Sequence, residues 1–392
     1  MKSSELESLT ASWNYPTAMR VGVGTVAELP GFCRGLGMAS PLLVTDPGLA
    51  GMDMTRDVLA QLKAAGLAVA CFSAIKGNPT GDNVEAGARM FREGGHDGVV
   101  AFGGGSAIDA GKSIALLAGQ SGSLFDYADV DDNWTRVDAA AMAPVVAVPT
   151  TAGTGSEVGR AAVITDECAQ CKRIIFHPGM LPAQVILDPE LTVGLPPHLT
   201  AATGMDALSH NLEALSATSF HPMAFGIALE GIRLVHDYLP RACADGNDLE
   251  ARMQMLVASS MGATAFQRGL GAMHALAHSL GAVYDAHHGL LNAILMPYVL
   301  KANAAAVDSS VTRAAIHLGL SDASFGGFLH WVLAFREQLG IPHSLAAIGI
   351  DDSEADRIGA MAVLDATAAG NPIAFSVAEY TQLFRRAVHG DL

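Results

Sequence analysis

Between residues 41 and 151, short apolar runs alternate with amphipathic stretches, and no other feature of the chain limits its fold so tightly. PLLVTD leads into a helical stretch to Ala65, LAVACF into a second helix through Phe91, and then come DGVVAFGGG and PVVAVPTT. The runs are apolar throughout, as expected of strands in a parallel sheet covered by helices on both faces. After about Leu191 β-branched runs vanish, and Ala, Leu and Met dominate 200–217 and 251–282, which reads as all-helical. Pro189, Pro196 and Pro197 interrupt any regular element between the two regimes. At 392 residues the chain also exceeds the roughly 250 to 300 that one core sustains. The expectation is an α/β domain over residues 1–190 with a Rossmann-like parallel sheet, an all-α domain over 191–392, and a cleft between them.

Charge narrows the partners. With 23 Lys plus Arg against 39 Asp plus Glu, the formal charge is −16, the wrong sign for a nucleic-acid binder. No apolar run approaches the roughly 18 residues of a membrane span. The opening residues MKSSELESLT show no basic start followed by an apolar stretch, so the cytoplasm is the expected compartment. Five cysteines are a sparse, odd set that fits a reducing environment. Only Cys168 and Cys171 are close, and with no second pair to complete a zinc knuckle they read as structural or incidental.

The run DGVVAFGGGSAIDAGKSIALL is a buried strand that ends in Gly103, Gly104 and Gly105 and passes directly into a helix. Glycines let the backbone approach an anion, and the amides of the turn and the helix dipole then point at one place, as a pyrophosphate requires. Ser106 is placed to cap that helix and to donate to a phosphate oxygen. The motif is not GxGxxG, so a tight turn without a ligand is the alternative. A second loop, PTTAGTGSE, also follows a strand and offers Thr150, Thr151 and Thr154. Two such loops from one sheet point to one elongated ligand. Asp46, at the end of LLVTD, is placed to accept from a ribose diol and to repel a 2′-phosphate, favouring NAD over NADP; its alternative role is a cap or turn residue before Pro47.

In TGMDALSHNLEAL, Asp206 and His210 stand four apart, on one helix face. His274 and His278 repeat that spacing, and His287 and His288 follow after a short turn. One histidine on an apolar helix is ordinarily a core residue, but several imidazoles and a carboxylate among Ala, Leu and Gly need a cation or a hydrogen-bond network. A carboxylate with three imidazoles suits Fe2+ or Zn2+ with a position left open. Which four of the six candidates would touch the ion is left open by the spacing.

The ordered set GGGS with Asp109 and Lys112, PTTAGTGSE, TGMDALSH and HALAHSLG resembles the iron-containing (group III) alcohol dehydrogenase family over essentially the whole chain. The resemblance implies a nucleotide-binding α/β domain, a helical metal-binding and catalytic domain, and a homodimer or higher homo-oligomer. Carried across by motif, it implies metal ligands Asp206, His210, His274 and His288, with His278 near the nicotinamide as a proton relay and His287 an unliganded neighbour. It implies nucleotide contacts at Asp46, Asn78, Gly104, Gly105, Ser106, Asp109, Thr150, Thr151, Thr154 and Lys172, the last to a ribose hydroxyl. FQRGLG, SEVGR and FHPGMLP look most like 4-hydroxybutyrate dehydrogenases within the family.

The expected chemistry is hydride transfer between a primary alcohol and a nicotinamide, with an aldehyde as the partner substrate. Arg160 and Arg173, positive density in an acidic chain, are candidates for an anionic substrate tail, with surface ion pairs as the alternative. A competing enzyme class is a dehydroquinate synthase-like lyase that uses metal and NAD transiently. Such a site needs many basic residues, and the helical half is poor in lysine near the ligand motifs.

Overall fold

The computed structural model describes residues 13–392; the opening segment MKSSELESLT, which bears on the compartment, lies outside them. Contacts divide the chain into two units, Pro16–Gly194 and Leu195–Leu392, with residues 13–15 joining the second. The division falls inside the proline-rich segment, a few residues beyond the expected boundary at 190.

In the first unit the strands are β1 (Met19–Val21), β2 (Pro41–Val44), β3 (Ala70–Phe72), β4 (Gly98–Gly103), β5 (Val145–Pro149), β6 (Ala161–Asp166), β7 (Cys171–Phe176) and β8 (Gln184–Leu187). The helices are α1 (Leu29–Gly35), α2 (Pro47–Ala50), α3 (Asp53–Ala64), α4 (Gly81–Glu93) and α5 (Gly105–Leu117). Six strands form one parallel sheet in the order β1-β8-β5-β4-β2-β3. Strands β2, β4 and β5 are buried along their whole length, as their unbroken apolar runs require. Leu43, Val100, Phe102, Val146, Val148 and Ile186 pack against Leu29, Cys33, Val58 and Leu62.

One element departs from the expected alternation. Strands β6 and β7 form a separate antiparallel hairpin, in which AAVITD alternates between partly and fully buried positions. Cys168 and Cys171 sit at its turn as free thiols, and Asp166 tightens that turn by accepting from the amides of Cys168 and Ala169.

The second unit contains α6 (Pro197–Ser216), α7 (Pro222–Ala244), α8 (Leu249–Ala265), α9 (Ala272–Tyr284), α10 (His288–Ala302), α11 (Ala304–His317), α12 (Phe325–Gln338), α13 (Ala355–Leu364) and α14 (Val377–His389). Pro197 opens α6 at a position where its missing N–H costs nothing. Fifteen of the helix's residues are buried, from Thr200 to Leu215, so α6 runs through the middle of its unit. Asp206, Ser209, His210, Asn211 and Glu213 on α6 therefore face protein and not solvent. No single described helix is long and apolar enough to cross a membrane.

Candidate metal centre and nucleotide loop

The spacing on α6 puts Asp206 and His210 on one side of a buried helix, and α9 brings His274 up to them. One ligand atom from each of these three residues lies within 4.8 Å of the others, and all three are buried. The rings of His210 and His274 stack at 4.7 Å. His288, the first residue of α10, completes the ring of donors: its Nε2 lies 3.6 Å from Asp206 Oδ1, and its ring is 5.4 Å from that of His274. His287 caps α10 by accepting from the Leu290 amide and is exposed. It takes no part in the cluster.

Asn292 tests whether these residues fit a cation. Its Nδ2 donates to Asp206 Oδ1 at 2.8 Å and lies 3.1 Å from His288 Nε2 and 3.3 Å from His274 Nε2. One amide nitrogen cannot satisfy three acceptors with two hydrogens, and its own Oδ1 is buried without a partner. Lone pairs from three residues thus converge on one small volume, the arrangement that a divalent ion satisfies. One carboxylate and neutral imidazoles fit iron or zinc.

Two carboxylates that sequence reasoning missed stand behind the histidines. Glu213 Oε2 is 2.6 Å from His274 Nδ1, and Asp365 Oδ2 is 2.9 Å from His278 Nδ1. Burial would lower the His274 pKa, but the neighbouring charges of Glu213, Asp206 and Asp365 outweigh it and hold the ring above its ordinary value. Burial would likewise raise Asp365, yet His278 and the Thr367 hydroxyl and amide hold it below the usual carboxylate range. Glu213 carried a signal, since it follows Asp206 and His210 at the next turn of the same helix face. Asp365 is 87 residues from His278 and carried none.

In the first unit β4 runs into the glycine turn. Gly103 adopts φ +147°, which side chains disfavour, and a Cβ on Gly105 would lie 2.5 Å from Thr154 Cγ2. Gly104 borders Thr151. The turn therefore brings Gly104, Gly105, Thr151 and Thr154 together, with Thr150 buried beneath them, its amide bonded to the Gly103 carbonyl. Lys172 on β7 donates to Asn78 Oδ1 at 3.0 Å.

Four expectations change in detail. Gly104, not Ser106, is the cap of α5; the Ser106 hydroxyl donates to the Gly77 carbonyl instead. Asp109 is turned inward, accepting from the Ser156 hydroxyl and from the Val163 amide at 2.9 Å and lying 3.4 Å from Lys112 Nζ. In this geometry it braces the loop. Asp46 caps α2 through Oδ1, accepting from the amides of Gly48 and Leu49, so the cap role is realised with one carboxylate oxygen. Arg173 is held by Asp166 at 2.7 Å, which is the ion-pair alternative, whereas the Arg160 guanidinium lies over the Phe176 ring.

The model of iron-containing alcohol dehydrogenases matches residues 16–189, and that of the Fe-containing alcohol dehydrogenase family, C-terminal, matches 200–388. The chain is 40% identical to 4-hydroxybutyrate dehydrogenase of Cupriavidus necator, over 95% of this chain and 99% of that one. It is 35% identical to the NAD-dependent methanol dehydrogenase of Bacillus methanolicus, over 95% and 98%. The solved structure of a 1,3-propanediol oxidoreductase superposes with a TM-score of 0.91 at 35% identity, covering 96% of this chain and all of that one.

Proposed function

The chain belongs to the iron-containing alcohol dehydrogenase family, and on that premise we propose that it interconverts a primary alcohol and its aldehyde with NAD and a divalent metal. Asp206, His210, His274 and His288 would hold the ion. When bound, it would supply a Lewis acid for negative charge on the substrate oxygen, and the dinucleotide would supply the hydride chemistry. The observation that carries the reading is the convergence of Asp206 Oδ1, His274 Nε2 and His288 Nε2 on one amide nitrogen.

This chain's own residues supply orientation and proton handling. His278 stacks on His288 at 5.3 Å, and its Nδ1 is engaged by Asp365, which leaves Nε2 to pass a proton to solvent. The glycine turn of Gly103, Gly104 and Gly105 holds the dinucleotide phosphates, with the α5 N-terminus favouring their charge. Thr150, Thr151, Thr154, Asn78 and Lys172 contact the remainder. The second Asp46 oxygen serves a ribose diol, which favours NAD over NADP. The enzyme works in the cytoplasm as a homo-oligomer on a small-molecule substrate.

For the substrate we favour an ω-hydroxy acid such as 4-hydroxybutyrate, supported by the 40% identity with 4-hydroxybutyrate dehydrogenase and by Arg160 as a partner for the carboxylate. The lyase alternative is disfavoured, because Lys301 is the one lysine after Lys172 and a phosphate-bearing substrate needs more positive charge. Comparing 4-hydroxybutyrate with 1-butanol, each with NAD and NADP, tests the reading. NADH accumulation with a higher kcat/KM for 4-hydroxybutyrate is expected; equal efficiency for the two alcohols would remove the carboxylate pocket.

A further inference from the structure

The start of α9 is capped from other parts of the chain. Its N-cap residue, Gly271, has no side chain to offer. Glu213 of α6 reaches over instead, accepting from the Gly271 amide at 2.8 Å and from the Met273 amide at 2.7 Å. Asn371 accepts from the intervening Ala272 amide at 3.1 Å. A Cβ at residue 271 would come within 2.8 Å of Asn371 Oδ1 and 3.1 Å of Glu213 Oε1, so the glycine makes room for both caps. The Glu213 oxygen that takes the Gly271 amide also faces His274 Nδ1. Glu213 is only 6% exposed, so it makes these bonds out of bulk water.

We infer that Glu213 is the positioning residue of the metal centre, clamping α9 to α6 and fixing which nitrogen His274 presents to the ion. A carboxylate only accepts, so the Nδ1 facing it must carry hydrogen, and the lone pair of the neutral ring then lies on Nε2. Nε2 is the nitrogen that points to the volume shared with Asp206 and His288. Because Asp206, His210 and Glu213 follow one another on one face of α6, a single helix carries two ligands and the clamp for a third. The ligand set is thereby assembled before an ion arrives, and less of the binding energy is spent on ordering it.

The inference rests on Asp206, His210 and His274 being ligands, and its test separates the two. Zinc affinity of the full-length protein is measured by competition with a chromophoric chelator, alongside the melting temperature of the metal-free form. Glu213→Gln is expected to weaken zinc about tenfold to a hundredfold, the range for losing an outer-shell partner of a ligating histidine. Asn371→Ala removes a cap of α9 without touching His274; it should lower the metal-free melting temperature yet keep wild-type zinc affinity. Wild-type affinity in Glu213→Gln, or equal weakening in Asn371→Ala, overturns the role of Glu213. Failure of the wild type to take up zinc would instead overturn the metal reading. Should Glu213→Gln not fold, 15N spectra of histidine-labelled, zinc-loaded wild type decide: zinc on His274 Nε2 with hydrogen on Nδ1 is expected, and zinc on Nδ1 refutes the inference.

Discussion

His278 meets Asp365 through Nδ1 at 2.9 Å, and Asp365 is in turn fixed by the amide and hydroxyl of Thr367. The chain thus orients the one histidine of α9 that is assigned to move a proton rather than to bind metal.

Replacing His278 by Phe is expected to reduce turnover and to change its pH dependence; an unaltered pH profile would mean that the ring only packs. Asp365→Asn keeps the shape and removes the charge, and should lower kcat at least about tenfold with little change in KM.

Acid titration supplies a separate check on Asp365. Its folded pKa is depressed, so it contributes stability that is present above the ordinary carboxylate value and lost as pH falls through the folded one. The urea midpoint of metal-free Asp365→Asn should therefore lie below wild type at neutral pH, and the gap should close in strong acid. A gap independent of pH contradicts the pairing.

The nucleotide turn predicts a local effect. Gly105→Ala drives a methyl into Thr154 at 2.5 Å, so KM for the dinucleotide should rise several-fold while metal content stays at wild type. An unchanged dinucleotide KM would remove the turn from the binding site.

Lys112 predicts an effect on stability. It is fully buried, its pKa is lowered by that burial, and it donates to the carbonyls of Ser156 and Ala161 beside Asp109. Lys112→Met leaves those carbonyls without this donor and Asp109 without its counter-charge, and should cost about 3 kcal/mol, read from the urea midpoint.

The strands β2, β4 and β5 were legible as unbroken apolar runs, and the pairs Asp206/His210 on α6 and His274/His278 on α9 by their four-residue spacing on one helix face. The β6–β7 hairpin was not, since its half-buried alternation lies outside the run of parallel strands and its partner faces differ. Strands β1 and β8 lie outside the alternating run of residues 41–151 that announces the other parallel strands. Ser106, Asp109 and Arg173 had the residue types for ligand contact, but each found a protein partner that no spacing discloses. Glu213 shares the helix face of Asp206 and His210, but its partners Gly271, Met273 and His274 lie 58 to 61 residues away, where no spacing discloses them.

The central claim concerns which side chains hold the ion, and adjacent histidines with opposite roles give its sharpest test. His288 borders Asp206 and His274, whereas His287 is exposed and caps its helix. Elemental analysis of anaerobically purified wild type, His287→Ala and His288→Ala measures the ion directly. The account predicts one divalent ion per chain in the wild type and in His287→Ala and loss of it in His288→Ala; full retention in His288→Ala would contradict it.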